Sequence, residues 1–118
     1  MAVVLDPSVL ADLRASVGDD EAFFAELVDE LLADVPRQLA TLREAASSGD
    51  AESERRAAHT LKGNGRTFGA GELAALGLDI ETAAAVGDLA TVQARLDAID
   101  EAWVRTRAAL IDERGGTS

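Results

Sequence analysis

The 118-residue sequence has no cysteine, no tyrosine, one histidine, one tryptophan and two prolines. Without cysteine there are no disulfides, no thiolate metal sites and no thiol catalysis. A lone imidazole excludes multi-histidine metal centres, and nothing in the pattern supports an all-carboxylate site, so no metal is expected. Aromatic side chains are limited to Phe23, Phe24, Phe68 and Trp103. Cations are scarce too: 11 Lys and Arg stand against 22 Asp and Glu, a net charge of −11. That balance argues against nucleic acid, whose binding rests on basic side chains neutralising phosphates. It argues equally against attraction to anionic membrane surfaces. No uncharged apolar run approaches a membrane span. The start, Met1-Ala2-Val3-Val4-Leu5-Asp6, has no basic region and too short an apolar run for a signal peptide. A soluble, cytoplasmic chain is expected.

What is present favours helix. Apolar residues make up 47% of the chain, and alanine and leucine, strong helix formers, dominate them. Gly-Asp recurs at Gly18-Asp19, Gly49-Asp50 and Gly87-Asp88, each fitting a helix end at a glycine followed by a capping aspartate. Asp6-Pro7 adds a fourth start, with proline at the first helical position. Between these marks run apolar stripes of helical period. One comprises Phe24, Leu27, Val28, Leu31, Leu32, Val35, Leu39 and Leu42, with Pro36 expected to bend it. Others comprise Leu73, Leu76, Ile80 and Ala84, then Leu89, Val92, Leu96, Ile99, Trp103, Thr106 and Leu110. No segment alternates with period two. The predicted fold is all-α: one domain over 1–118, an antiparallel up-down four-helix bundle with a short additional N-terminal helix. The short helix spans about 7–16, the bundle helices about 20–47, 51–68, 71–86 and 89–112, and 113–118 form a frayed tail.

The second bundle helix has a thin core stripe, Ala58, Leu61, Gly65 and Phe68. Stepping about 100° per residue, His59 points away from it. Arg55, Arg56, Lys62, Gly63 and Arg66 fall on the same outward face, so four cations gather round one imidazole in an acidic protein. Neutral imidazole is a nucleophile near pH 7 and can carry a covalent intermediate. Lys62, one turn on, can set a point charge beside phosphoryl oxygens. Gly63 lets a partner surface come close to the ring, although a helix-interior glycine costs roughly 1 kcal/mol relative to alanine. Gly65 repeats that cost.

The run Ala58-His59-Thr60-Leu61-Lys62-Gly63-Asn64-Gly65-Arg66-Thr67-Phe68-Gly69-Ala70 resembles the signature of bacterial histidine-containing phosphotransfer (HPt) domains. Leu73, Leu76, Ile80-Glu81 and Gly87-Asp88 are similar to that family's next helix and turn. The likeness spans about Phe23 to Leu110 and is specific between Ala58 and Asp88. It implies a relay passing a phosphoryl group, as phosphohistidine at His59, to or from aspartates of response-regulator receiver domains in two-component signalling. It also implies that Lys62 assists the phosphoryl group, that Gly63 gives clearance, and that Glu81 orients the imidazole through its other ring nitrogen. The family commonly has serine or another small residue near Asn64-Gly65, and Gly65 is expected to loosen the end of the helix here.

On this reading the chain is a phosphocarrier without turnover catalysis of its own, free-standing or part of a hybrid histidine kinase. It needs no cofactor; magnesium is expected on the partner receiver domain. Partners are receiver domains and a histidine kinase, and a monomer is expected. Arg55, Arg56 and Arg66 are candidate docking residues that could equally pair with Glu52 or Glu54. The alternative function is an HPt-like module that docks a receiver domain without being phosphorylated. An acid–base enzyme built on His59 is disfavoured, because a narrow alanine-rich bundle offers little concave pocket.

Overall fold

A computed structural model describes residues 4–115. Their regular structure is all α-helical: α1 (Pro7–Ser16), α2 (Glu21–Ser48), α3 (Ala51–Thr67), α4 (Gly71–Ala85) and α5 (Leu89–Glu113). Four helices begin at an aspartate whose carboxylate accepts from a backbone N–H of the first turn, satisfying a donor the helix itself cannot. Asp6 accepts from Ser8, Asp20 from Phe23, Asp50 from Ser53 and Asp88 from Thr91, at 2.9–3.1 Å. The first Gly-Asp pair departs from expectation. Gly18 and Asp19 both turn left-handed, at φ 68° and 56°, so the cap of α2 passes one residue on to Asp20. Only α4 lacks a side-chain cap among these helices, and left-handed Gly69 turns the chain into it.

The predicted stripes face inward with few exceptions. Phe24, Val28, Leu31, Val35, Leu39 and Leu42 of α2 are buried, while Phe23 is 47% exposed and lies outside the core. On α5 the buried set is Val92, Leu96, Ile99, Ala102, Trp103, Thr106 and Leu110, with Leu89 exposed. Helix α2 is continuous through Pro36, whose missing N–H leaves the Leu32 carbonyl without its usual partner. Each long helix packs on its neighbour in sequence, and α2 closes against α5. Helix α1 lies across one end. Its Arg14 bonds Glu21 at the start of α2 and both the carboxylate and the carbonyl of Glu113 at the end of α5, with the guanidinium 4.2 Å from the Phe24 ring centroid. At that same end Asp6 N–H donates to the Gly69 carbonyl at 2.8 Å. Glu113, expected in the tail, still belongs to α5, and Arg114 pairs with Asp29 of α2 at 2.8 Å. The rest of the expected tail, 116–118, lies outside the described residues.

Glu54 is an unforeseen core residue. It is 1% exposed, and neither carboxylate oxygen has a hydrogen-bond partner among the described residues. Burial pushes its carboxyl pKa up, with nearby Asp50 adding to the effect. A folded-state pKa above the unfolded value means stability is lost as the pH climbs from the unfolded toward the folded value. Glu54→Leu should therefore stabilise the fold by roughly 1–3 kcal/mol near pH 7, the usual cost of an unsatisfied buried polar group. The gain over wild type should shrink as the pH falls toward 4. Paired denaturant melts across pH test this, and a gain that is flat with pH would contradict it.

Candidate functional site

The site lies on the α3–α4 seam. The two helices run antiparallel, with Gly65 against Ala74, Lys62 against Gly77, and His59 opposite Glu81. Asp50 caps α3 through the Ser53 N–H, and the acidic first turn, Glu52 and Glu54, suits the positive end of its dipole. Two turns on, His59 stands on the outer face with its side chain 64% exposed. Glu81, on the third turn of α4, reaches back across the seam, and its Oε2 lies 2.6 Å from His59 Nδ1. Its other oxygen accepts from Lys62 Nζ, also at 2.6 Å.

The protonation pattern follows from these contacts. Glu81 is held below the usual carboxylate range, first by the hydrogen bond from Lys62 and then by that from His59, against the opposing effect of desolvation. An ionised carboxylate can only accept, so the proton between the two groups sits on Nδ1 and His59 donates. In the neutral ring the lone pair then belongs to Nε2, the nitrogen that Glu81 does not touch. The result is a largely exposed ring held through Nδ1 by the carboxylate of the neighbouring helix.

Lys62 differs from expectation. It does not stand on the outward face with the arginines; its side chain is 14% exposed and points across the seam to Glu81, itself 16% exposed. Of the arginines expected either to dock a partner or to pair with Glu52 or Glu54, two meet Glu52. Arg55 forms a two-pronged pair with Glu52 at 2.7 and 3.1 Å, and Arg56 approaches the same carboxylate at 3.9 Å. Arg66 is exposed. Gly63 is exposed as well, and a Cβ built on it would meet nothing within 4 Å among the described residues. Gly65 does not loosen the helix, which continues to Thr67. A Cβ there would fall 2.7 Å from the backbone nitrogen of Ala74, so glycine at 65 is a packing requirement. Sequence reasoning missed Gly77, which meets the α3 backbone in the same way, although a glycine in mid-helix was a signal available to it.

The larger surface grooves lie elsewhere. One of about 490 Å³ runs between α2 and α3 beside Leu27, Leu31, Asp34 and Asn64, and one of about 420 Å³ runs between α4 and α5 beside Leu78, Val86 and Arg95. His59 lines neither. The exposed imidazole, with one nitrogen committed to a carboxylate, thus stands outside both grooves.

The Hpt domain family model matches residues 26–109, and the chain belongs to that family. The structure is similar over the full length of both chains to histidine-containing phosphotransfer protein B (HptB) from Pseudomonas aeruginosa PAO1, with a TM-score of 0.89 and 29% sequence identity. No curated protein matches the chain significantly in sequence. The chain is thus a histidine phosphotransfer module of the two-component signalling type.

If Lys62 is what holds the Glu81 carboxyl low, Lys62→Met should raise its titration midpoint, read directly from its side-chain ¹³C signal. A depressed pKa contributes stability above the unfolded value that is lost as the pH falls through the folded value. In the variant that loss should therefore begin at higher pH. An unchanged midpoint would assign the depression to His59 instead.

Proposed function

We propose that His59 is the phosphorylated nucleophile and that its partners are receiver domains carrying phosphoaspartate. The observation that carries this reading is the 2.6 Å contact between Nδ1 and Glu81 on a ring that is otherwise exposed. With Nδ1 protonated, the Nε2 lone pair attacks the phosphorus of an aspartyl phosphate. The P–Nε2 bond forms as the P–O bond to aspartate breaks, and the aspartate departs as carboxylate. The ring keeps its Nδ1 proton and becomes cationic, and the adjacent Glu81 carboxylate stabilises that charge. This is the role of the third group in nucleophile–base–orienter constellations. Transfer to an acceptor aspartate is the same step reversed.

Lys62 would serve the phosphoryl oxygens by exchanging part of its bond to Glu81 for them, which their two nearly full negative charges favour. Gly63 leaves the receiver a clear approach, and Arg55, Arg56 and Arg66 supply contacts at the rim. Magnesium belongs to the receiver's acyl-phosphate site, and this chain supplies no cofactor. The helices are read as an up-down, antiparallel four-helix bundle with α1 as an end cap, acting as a cytoplasmic monomer without turnover chemistry. Encounters with a receiver would be transient and modest in area.

Intact-mass analysis after mixing with a phosphorylated receiver domain and magnesium tests the proposal. One phosphoryl adduct is expected, labile to acid and stable to alkali, and absent from His59→Gln. A folded protein that binds several phosphorylated receivers without gaining the adduct would instead be a docking module.

A further inference from the structure

We infer that Gly77 of α4 is a positioning residue for His59: it sets the helix separation at which the Glu81 carboxylate reaches Nδ1. The relevance to transfer rests on the phosphotransfer reading above, whereas the geometric claim does not. A Cβ on Gly77 would lie 2.8 Å from the Lys62 backbone nitrogen, 3.0 Å from the Lys62 Cα and 3.1 Å from the Ala58 carbonyl oxygen. All three atoms are backbone, so no side-chain rotation can make room and the helices must part. The backbone in question belongs to Lys62 and to the residue preceding His59.

Glu81 lies four residues beyond Gly77 and therefore on the same face of α4, one turn along. Any outward shift of α4 at Gly77 carries Glu81 away from both of its donors. A 2.6 Å hydrogen bond has little slack, and one stretched to 3.6 Å no longer counts as one. Gly65 makes the matching close approach three residues further along α3, 2.7 Å from the Ala74 backbone. The two glycines therefore hold the seam closed on the side of the site nearer the α3–α4 turn.

The test uses the full chain and two independent readouts. The first is the tautomer of His59, from its ring ¹⁵N signals about two units above the ordinary imidazole pKa of about 6.5. Wild type should show the proton on Nδ1, and Gly77→Ala should show a mixture with the Nε2–H form. The second is the rate of phosphoryl transfer from a phosphorylated receiver domain. A misplacement of about 1 Å can cost on the order of 10²-fold, and the smaller parting forced by one methyl group should slow transfer about tenfold. In a Glu81→Ala background the same Gly77→Ala change should have almost no further effect, because the group it displaces is gone. A folded Gly77→Ala protein with the wild-type tautomer would overturn the inference, as would losses from Gly77→Ala and Glu81→Ala that simply multiply. Should Gly77→Ala not fold, Glu81→Asp withdraws the carboxylate by one methylene at the native helix separation. A tautomer shift in that variant upholds the inference, and an unshifted ring overturns it. A wild-type chain that accepts no phosphoryl group would sink the functional reading while the tautomer still reported on Gly77.

Discussion

The site depends on two helices whose backbones touch. At Gly65 and Gly77 no side chain separates α3 from α4, and a methyl group at either would fall within 3 Å of the opposing main chain. Helix axes are usually held 8–10 Å apart by the side chains between them. Removing those side chains allows a closer approach, and here it lets a glutamate on one helix orient a histidine on the other. The penalty is roughly 1 kcal/mol of helix propensity per glycine. It is offset by the buried contact of Leu61, Leu73 and Ile80 on the inner side of the same seam.

Electrostatics complete what packing begins. The chain carries −11, an unfavourable setting for the dianionic group that the proposed reading brings to His59. The carboxylates near the site are nevertheless occupied: Glu52 by Arg55, and Glu81 by Lys62 and His59 together. Glu81 gives the ring an acceptor for Nδ1 while its own charge is balanced by the ammonium of Lys62, a side chain slightly more buried than its own. Lys62 and His59 are thereby bound to the two oxygens of one carboxylate. A single carboxylate thus binds both the imidazole and the ammonium, and on the proposed reading it would orient the one and hold the other ready.

Much of this was legible before any coordinates. Caps and stripes located the helices because they are local: Asp50 and Asp88 cap where Gly-Asp said they would. His59 and Gly63 could be placed on the outer face by angle alone. What escaped was set by neighbours distant in sequence. A helical wheel puts Lys62 near the exposed face, and only the position of α4 shows that its ammonium turns inward to Glu81. The burial of Glu54 was invisible for a similar reason, since an acidic residue in the first turn of a helix is ordinarily solvated and favoured by the dipole. The cap of α2 moved by one residue because Asp19 adopts a left-handed backbone that only the turn geometry reveals.

The glycines of α3 and α4 show how like residues can answer to different causes. Gly65 and Gly77 are explained within the chain, because their missing side chains are filled by the backbone of the other helix. Gly63 is not. It sits mid-helix on the exposed face, one turn beyond His59, where the methyl group of an alanine would meet no other element among the described residues and would favour the helix by about 1 kcal/mol. No contact among the described residues accounts for glycine at that position, which is consistent with the proposed approach of a partner from outside. Close approach to the exposed imidazole is the use to which such a gap is suited on the proposed reading. The two inner glycines bring the helices together behind the imidazole, and the outer one leaves room in front of it.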